Sequence, residues 1–290
     1  MSVFFSHSHN KEQPSLTLDD VHSVTLLGGH GKAGQKETVS EVKFEMGNVV
    51  SIVGPTGSGK TALINDIELF ANANTPTGRR MLINGATPPE ELMDDPSKNP
   101  IALITQHTNF LSDLPVDVFL RMHAKIRRAD EHETIVEETL DFANQLTGEP
   151  IIQGNSMTEL SGGQTRALLI ADAVIIGNSP ILLLDEIENA GIHRGRALEL
   201  LRNYQKIFVF VTHDPRIALL SDFRIVMSRG AMEKIIYPDE EEAIIIDRIG
   251  KLDDLMLRFR KRLWEGERLS EKNLDSDLSA LLSSSKETSS

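Results

Sequence analysis

The chain has 290 residues, 40% of them hydrophobic, and no cysteine. That is enough apolar material for one large domain or two packed ones, and it excludes a disulfide-stapled mini-protein, a thiolate metal site and a Cys nucleophile. The 30 basic residues stand against 43 acidic ones, a net charge of −13, which repels a nucleic-acid backbone, so no nucleic-acid partner is expected.

Residues 1–15 are polar and without periodicity and read as a flexible segment, with neither the basic start nor the sustained apolar stretch of a secretory signal. His7 and His9 lie there without carboxylate or Cys support, and no metal site is assigned to them. No apolar run approaches the roughly 20 residues that span a bilayer, so no membrane span is expected and the cytosol is the default compartment.

Residues 16–18 and 24–27 are strand-like and a glycine-rich stretch divides them from 39–46, which together suggest an antiparallel β opening. Within that stretch Gly29-His30-Gly31-Lys32-Ala33-Gly34 fits G-x-G-x-x-G, but a β-like run follows it instead of a helix. It therefore reads as a hairpin loop and not as a dinucleotide site. Residues 48–53 form a β-branched apolar run that ends in a second glycine-rich loop, after which Leu63, Ile64, Ile67 and Phe70 recur at helical spacing over 62–71.

Further strands are expected at 81–83, 101–105, 181–184, 207–212 and 224–227, and their continuous apolar character implies a sheet covered on both faces. Residues 116–146 are charged, helical in pattern and add no strand, so they read as a helical subdomain inserted between two strands. Beyond Tyr237 an acidic run leads into an amphipathic helix with Leu252, Leu255, Met256, Phe259 and Leu263 on one face and Arg258, Lys261 and Arg262 off it. Such a face packs on its own domain, on a sister subunit or on anionic lipid. Residues 270–290 are rich in serine and acid and are expected to be a disordered tail.

Gly54-Pro55-Thr56-Gly57-Ser58-Gly59-Lys60-Thr61 matches the phosphate-loop pattern G-x-x-x-x-G-K-[ST] and stands between an expected strand and an expected helix. Gly57 and Gly59 let backbone N–H groups converge on phosphate oxygens, and the helix that begins near Lys60 points its positive end at them. Lys60 reaches the β and γ phosphates, Thr61 offers a hydroxyl to Mg2+, and Ala62 completes the binding set. The run Ile181-Leu182-Leu183-Leu184 ends in Asp185 and Glu186. A carboxylate at the carboxyl end of a parallel strand lies beside the nucleotide crevice, where Asp185 can hold Mg2+ and Glu186 can polarise a water. Further along, Leu160-Ser161-Gly162-Gly163-Gln164 opens a helix, with Ser161 as its N-cap and two glycines exposing backbone donors to an anion.

With that pentapeptide the chain resembles the ATP-binding cassette (ABC) ATPases, whose own signature is LSGGQ. The resemblance covers most of residues 16–230 and implies an α/β P-loop NTPase core with a mostly parallel sheet, an N-terminal antiparallel β subdomain and an inserted helical signature subdomain. It divides the chain into a segment 1–15, an ATPase domain 16–237 with its helical part at about 107–175, a helical extension 238–269 and a tail 270–290. It also implies roles for two residues at strand ends. Gln106, after IALIT, resembles the glutamine that touches Mg2+ and the attacking water, and His213, after IFVFVT, resembles the histidine that contacts the γ-phosphate.

Such cassettes meet head to tail, so that the signature of one closes over ATP held by the phosphate loop of the other. The resemblance therefore implies ATP and Mg2+ as cofactors and a second cassette, identical or different, as partner. Two departures stand out. Ile192 occupies the place of the family's D-loop aspartate, and residues 20–40 hold no aromatic to stack on adenine, leaving His30 or an aliphatic side chain to cover the base.

Two functions fit. The first is the ATP-binding subunit of a transporter, cytoplasmic or peripheral at the inner face of the cell membrane, docked on a separate permease. Phe110, Leu111, Leu114, Val116, Val118 and Phe119 would form the docking surface unless they fill the subdomain's own core. The alternative is a soluble ABC ATPase that clamps a protein or cofactor-assembly partner. The DNA-repair branch is disfavoured by acidity and by the lack of a long coiled-coil insertion. A small-molecule kinase leaves LSGGQ unexplained.

Overall fold

A computed structural model describes residues 17–278 except 96–97, 128–131, 187–193, 272–273 and 275–276. His7, His9 and the D-loop position Ile192 lie outside the described residues.

The chain opens with strands β1 (Ser23–Leu27), β2 (Glu41–Glu45) and β3 (Val49–Val53), then helix α1 (Lys60–Glu68), β4 (Arg80–Ile83), the short α2 (Glu91–Asp94) and β5 (Ile101–Ile104). Three helices follow, α3 (Val116–Arg127), α4 (His132–Leu146) and α5 (Gly162–Val174). The last third alternates β6 (Ile181–Asp185), α6 (Arg194–Arg202), β7 (Ile207–Val211), α7 (Pro215–Leu220), β8 (Phe223–Ser228) and β9 (Ala231–Ile236), and ends in the long α8 (Glu240–Trp264).

The strands form two sheets. The smaller is antiparallel in the order β2-β1-β4, with Val24 opposite both Phe44 and Ile83. The larger has the order β5-β6-β7-β3-β8-β9 and is parallel up to β8. Its order places the carboxyl ends of β6, β7 and β3 side by side, although β3 lies more than a hundred residues before the other two in sequence, and in an open parallel sheet that edge is where ligands bind.

Side chains of β6 alternate between two cores. Leu182 and Leu184 join α3, α4, α5 and α6 on one face, while Ile181 and Leu183 join Leu63, Ile64 and Ile67 of α1 and the antiparallel sheet's Leu26 and Phe44 on the other. Both faces are thus covered, which is why β5, β7 and β6 up to Leu184 are apolar at successive positions and not at every second one. Each such leucine contributes about 1.5–3 kcal/mol by leaving water. Among the described residues no helix is long and apolar enough to cross a membrane.

Two local readings are corrected. Leu18, the last residue of the strand expected at 16–18, opens a 3-10 turn over Leu18–Asp20 instead, because Thr17 donates its amide (2.9 Å) and hydroxyl (2.6 Å) to the Asp20 carboxylate and closes the chain locally; Leu16 lies outside the described residues. β9 joins the sheet as an antiparallel edge strand, a position where Glu233 and Lys234 are tolerated because one side faces solvent. Within 270–290, residues 271, 274, 277 and 278 are helical, and Arg262 donates to Asp277 at 3.0 Å. α1 also starts at Lys60, two residues before the apolar periodicity begins.

α8 is anchored at its start and loosely covered beyond it. Asp239 accepts from the Glu242 amide (2.9 Å), and Arg224 of β8 grips the Glu242 carboxylate with two bonds of 2.7 and 2.5 Å. That guanidinium holds the Glu242 carboxyl below the usual carboxylate range. Gly250 is buried against Arg216 of α7, and Leu255 is buried too. The outer stripe of Ile245, Leu252, Met256 and Leu263 stays exposed.

Candidate nucleotide site

The loop after β3 is built on positive φ. Gly57 (φ +78°) has nothing within 4 Å of where a Cβ would stand, so its backbone faces open space. Gly59 (φ +103°) caps α1, and a Cβ there would come within 2.7 Å of the Gly230 Cα in the β8–β9 turn. One glycine keeps the cradle open and the other lets the turn close against it.

Lys60 is buried, and its Nζ donates to the carbonyls of Gly54 (2.9 Å) and Pro55 (3.3 Å). The Ser58 hydroxyl is buried with no hydrogen-bond partner among the described residues. A buried ammonium held among the described residues by carbonyls, an orphaned hydroxyl and an open glycine backbone at a helix start make a donor-rich concavity suited to an oxyanion.

That concavity is one end of a cleft of about 380 Å3. The loop and α1 contribute Thr56, Gly57, Gly59, Lys60, Thr61 and Ala62, and the strand ends contribute Asp185, Glu186 and His213. Val211 and Lys32 complete the lining. The cleft therefore combines the cations and amides of the loop with the carboxylates and imidazole of the strand ends. A hydroxyl (Thr61) and a carboxylate (Asp185) are the hard oxygen donors that Mg2+ takes together with phosphate oxygens. The donor set thus fits a magnesium nucleoside triphosphate.

Glu186 follows β6 with φ +51°, a left-handed conformation that costs a non-glycine residue of order 1–3 kcal/mol. Its amide donates to the Val211 carbonyl at 3.0 Å, which fixes the backbone, and its Oε1 lies 3.5 Å from Nε2 of His213. His213 sits in the short link between β7 and α7. There Asp214 donates its amide to the Thr212 hydroxyl (2.9 Å) and caps α7 by accepting from the Arg216 amide (2.7 Å).

The remaining expected site residues lie elsewhere. Ser161 caps α5 in a reciprocal box: its amide donates to Gln164 Oε1 (2.9 Å) and its Oγ accepts from the Gln164 amide (3.3 Å). Gln164 also donates to the Pro150 carbonyl at 3.0 Å. Neither Gln106 nor Ser161, Gly162, Gly163 and Gln164 line the cleft. Gln106 and the signature helix are joined to one another, because Arg166 donates from Nη1 to the Gly162 carbonyl (3.0 Å) and from Nη2 to the Gln106 carbonyl (2.7 Å).

Three side chains at or beside the site carry no sequence signal: Lys32, Arg79 and Arg166. Arg79 is fully buried and donates to Glu37 (2.6 Å), Asp66 of α1 (2.7 Å) and the Gly230 carbonyl (3.0 Å). Burial opposes its charge, but the bonds to Glu37 and Asp66 outweigh that and raise its pKa. Glu37 in turn accepts the amides of Gly29 (2.7 Å) and Met232 (2.5 Å). Since these partners come from distant parts of the chain, no local pattern could have revealed them.

Residues 38–189, just over half the chain, match the family model described as ABC transporter. An uncharacterized ABC transporter ATP-binding protein of Methanocaldococcus jannaschii is 48% identical over 255 residues, covering 88% of this chain and 97% of the relative. A spermidine/putrescine import ATP-binding protein of Bacillus cereus is 31% identical over 67% of this chain, which spans 59% of that protein. Among solved structures, the ADP conformation of an ATP-binding cassette of an ABC transporter superposes with a TM-score of 0.56 at 22% identity, covering 78% of this chain and 95% of that one. A dimeric post-hydrolysis cassette bound to ADP and phosphate gives 0.56 at 22% identity, over 74% and 99%. These two show the fold. Phosphate loop, strand-end carboxylates and sheet order thus meet in a chain that belongs to the ABC transporter family.

Proposed function

We propose that the chain is an ATP-hydrolysing cassette that closes on a second cassette and drives a separate membrane permease. The observation that carries this reading is the single cleft in which Lys60 and Thr61 face Asp185, Glu186 and His213.

In that cleft Lys60 releases its loop carbonyls to bind the β and γ phosphates, and the backbone donors of the loop from Gly54 to Thr61 hold the remaining oxygens. Thr61 and Asp185, with Gln106 brought in from its exposed loop, would hold Mg2+, which when bound neutralises phosphate charge. Glu186 accepts the proton of the attacking water. As that water's oxygen bonds to the γ-phosphorus, the bond to the bridging oxygen breaks, leaving ADP and phosphate. His213, within reach of Glu186, donates to the γ-phosphate.

Ser161, Gly162, Gly163 and Gln164 stand at the start of α5 outside their own chain's cleft. This supports their serving a nucleotide held by the other cassette. Arg166 then links the signature to Gln106, so that engagement of the one is felt at the other. The helical part at about 107–175 is assigned to the permease. Of the expected docking residues Val116 is buried core, Phe110 and Phe119 pack edge to face on that core, Leu114 is partly buried, and Leu111 and Val118 are exposed, as is Met122 of α3. The import ATP-binding relatives support coupling to uptake.

The test is ATP turnover with size-exclusion chromatography. Glu186→Gln is expected to abolish turnover and to accumulate an ATP-bound dimer. Normal turnover with no ATP-dependent dimer would refute the assignment.

A further inference from the structure

We infer that Lys32 is a second lysine of the polyphosphate site, supplied by the β1–β2 loop. The inference rests on the reading of the cleft as a triphosphate site and adds to it a cation from outside the phosphate loop.

Lys32 lies in the G-x-G-x-x-G stretch that no dinucleotide explains. Its backbone is fixed from several sides. The Gly31 amide donates to the Gln35 carbonyl (2.8 Å), the Lys32 amide to the Arg229 carbonyl (2.9 Å), and the His30 amide to the Thr77 carbonyl (2.7 Å). Glu37, gripped by Arg79, accepts the Gly29 amide from below. The Lys32 stem crosses Gly230, where an added Cβ would stand 2.7 Å from its Cγ. A loop held in this way delivers its ammonium to one place, the rim of the phosphate loop, where Nζ donates to the Gly57 carbonyl at 2.7 Å and lines the same cleft as Lys60.

Both lysines of the cleft thus rest on carbonyls of the loop between them, Lys60 on Gly54 and Pro55, Lys32 on Gly57. A carbonyl is a weak partner for an ammonium, and an entering phosphate oxygen is a stronger one. A polyphosphate would draw Lys32 off Gly57 as it draws Lys60 off Gly54. The contact is to charge and not to the base, and it lies on the side where residues 20–40 offer no aromatic ring. Affinity would accordingly come from the phosphates, with weak discrimination among bases.

Calorimetric titration of the full chain with ATP, GTP and inorganic tripolyphosphate, at two salt concentrations, tests this. Lys32→Met is expected to weaken ATP and tripolyphosphate alike, by about tenfold, the size of a lost charge-assisted bond, and to flatten the salt dependence. Lys32→Gln keeps a donor for the Gly57 carbonyl without the charge, and is expected to lose as much. Wild-type protein is expected to bind ATP and GTP within about threefold, less than one base-stacking contact distinguishes. Tripolyphosphate affinity unchanged in both variants would overturn the inference, even if ATP binding fell. Lys60→Ala separates the two readings. If Lys60→Ala loses binding and the Lys32 variants do not, the site stands and Lys32 is no part of it. If none of the three loses binding, the site itself is misassigned. Melting of the nucleotide-free variants checks that each is folded.

Discussion

Glu186 combines two features that rarely coincide in a residue kept for packing alone: a left-handed backbone and a half-exposed carboxylate beside an imidazole. The strain persists because the hydrogen bond from the Glu186 amide to the Val211 carbonyl and the end of β6 determine the conformation. Replacing the carboxylate by its amide keeps size and backbone but removes the proton acceptor. Glu186→Gln is therefore expected to slow turnover by about 100- to 10,000-fold, the range for losing a general base, with ATP affinity little changed in a nucleotide-binding assay. Lys60→Ala should show the opposite pattern. Removing a buried ammonium from the phosphates costs about 2–3 kcal/mol, on the order of 100-fold in Kd, measurable by titration calorimetry. The residues of the phosphate loop, Asp185, Glu186 and His213 are legible in the sequence because each is tied to a strand end whose apolar run announces it. Lys32 and Arg79 are not, since their positions depend on contacts with Gly57 and Asp66, in other elements, that only the folded chain creates.

At the scale of elements, α1 carries two connections at opposite ends: the phosphate loop at Lys60 and the buried Asp66 that binds Arg79. Arg79→Met would leave Glu37 and Asp66 buried without their cation, a loss of about 3–5 kcal/mol. Thermal unfolding should show a clearly lower midpoint, with nucleotide restoring part of it. α8 has a different dependence. Because Arg224 depresses the Glu242 carboxyl, the docking contribution is present above the ordinary carboxylate value of 4.5 and is lost as pH falls through the depressed one. Limited proteolysis with an acid protease is expected to release α8 only as pH falls below 4.5 and not in milder acid, and Glu242→Gln to release it at neutral pH. Hydrophobic runs made most strands readable. β9 escaped because Glu233 and Lys234 interrupt it, as an edge allows, and the short run at 16–18 misled because at Leu18 the two hydrogen bonds that the Asp20 carboxylate accepts from Thr17 override it.

For the molecule as a whole, the distribution of exposed apolar groups decides where partners attach. Leu111 and Met122 are exposed in the helical part, and neither lines the cleft. A Leu111→Glu, Met122→Glu double variant is expected to keep the isolated chain's ATP turnover within about twofold, as surface changes away from a site do, while failing to co-purify with a permease from detergent extracts. Retained co-purification would move the docking surface elsewhere. The sheet order itself has a further consequence. Gly29 of the antiparallel layer and Met232 of β9 end their amides on the one Glu37 carboxylate that Arg79 fastens to α1. Deuterium can therefore enter those two amides only when both layers part together, so filling the cleft should slow isotope uptake at the far edge of the sheet as well as at its mouth.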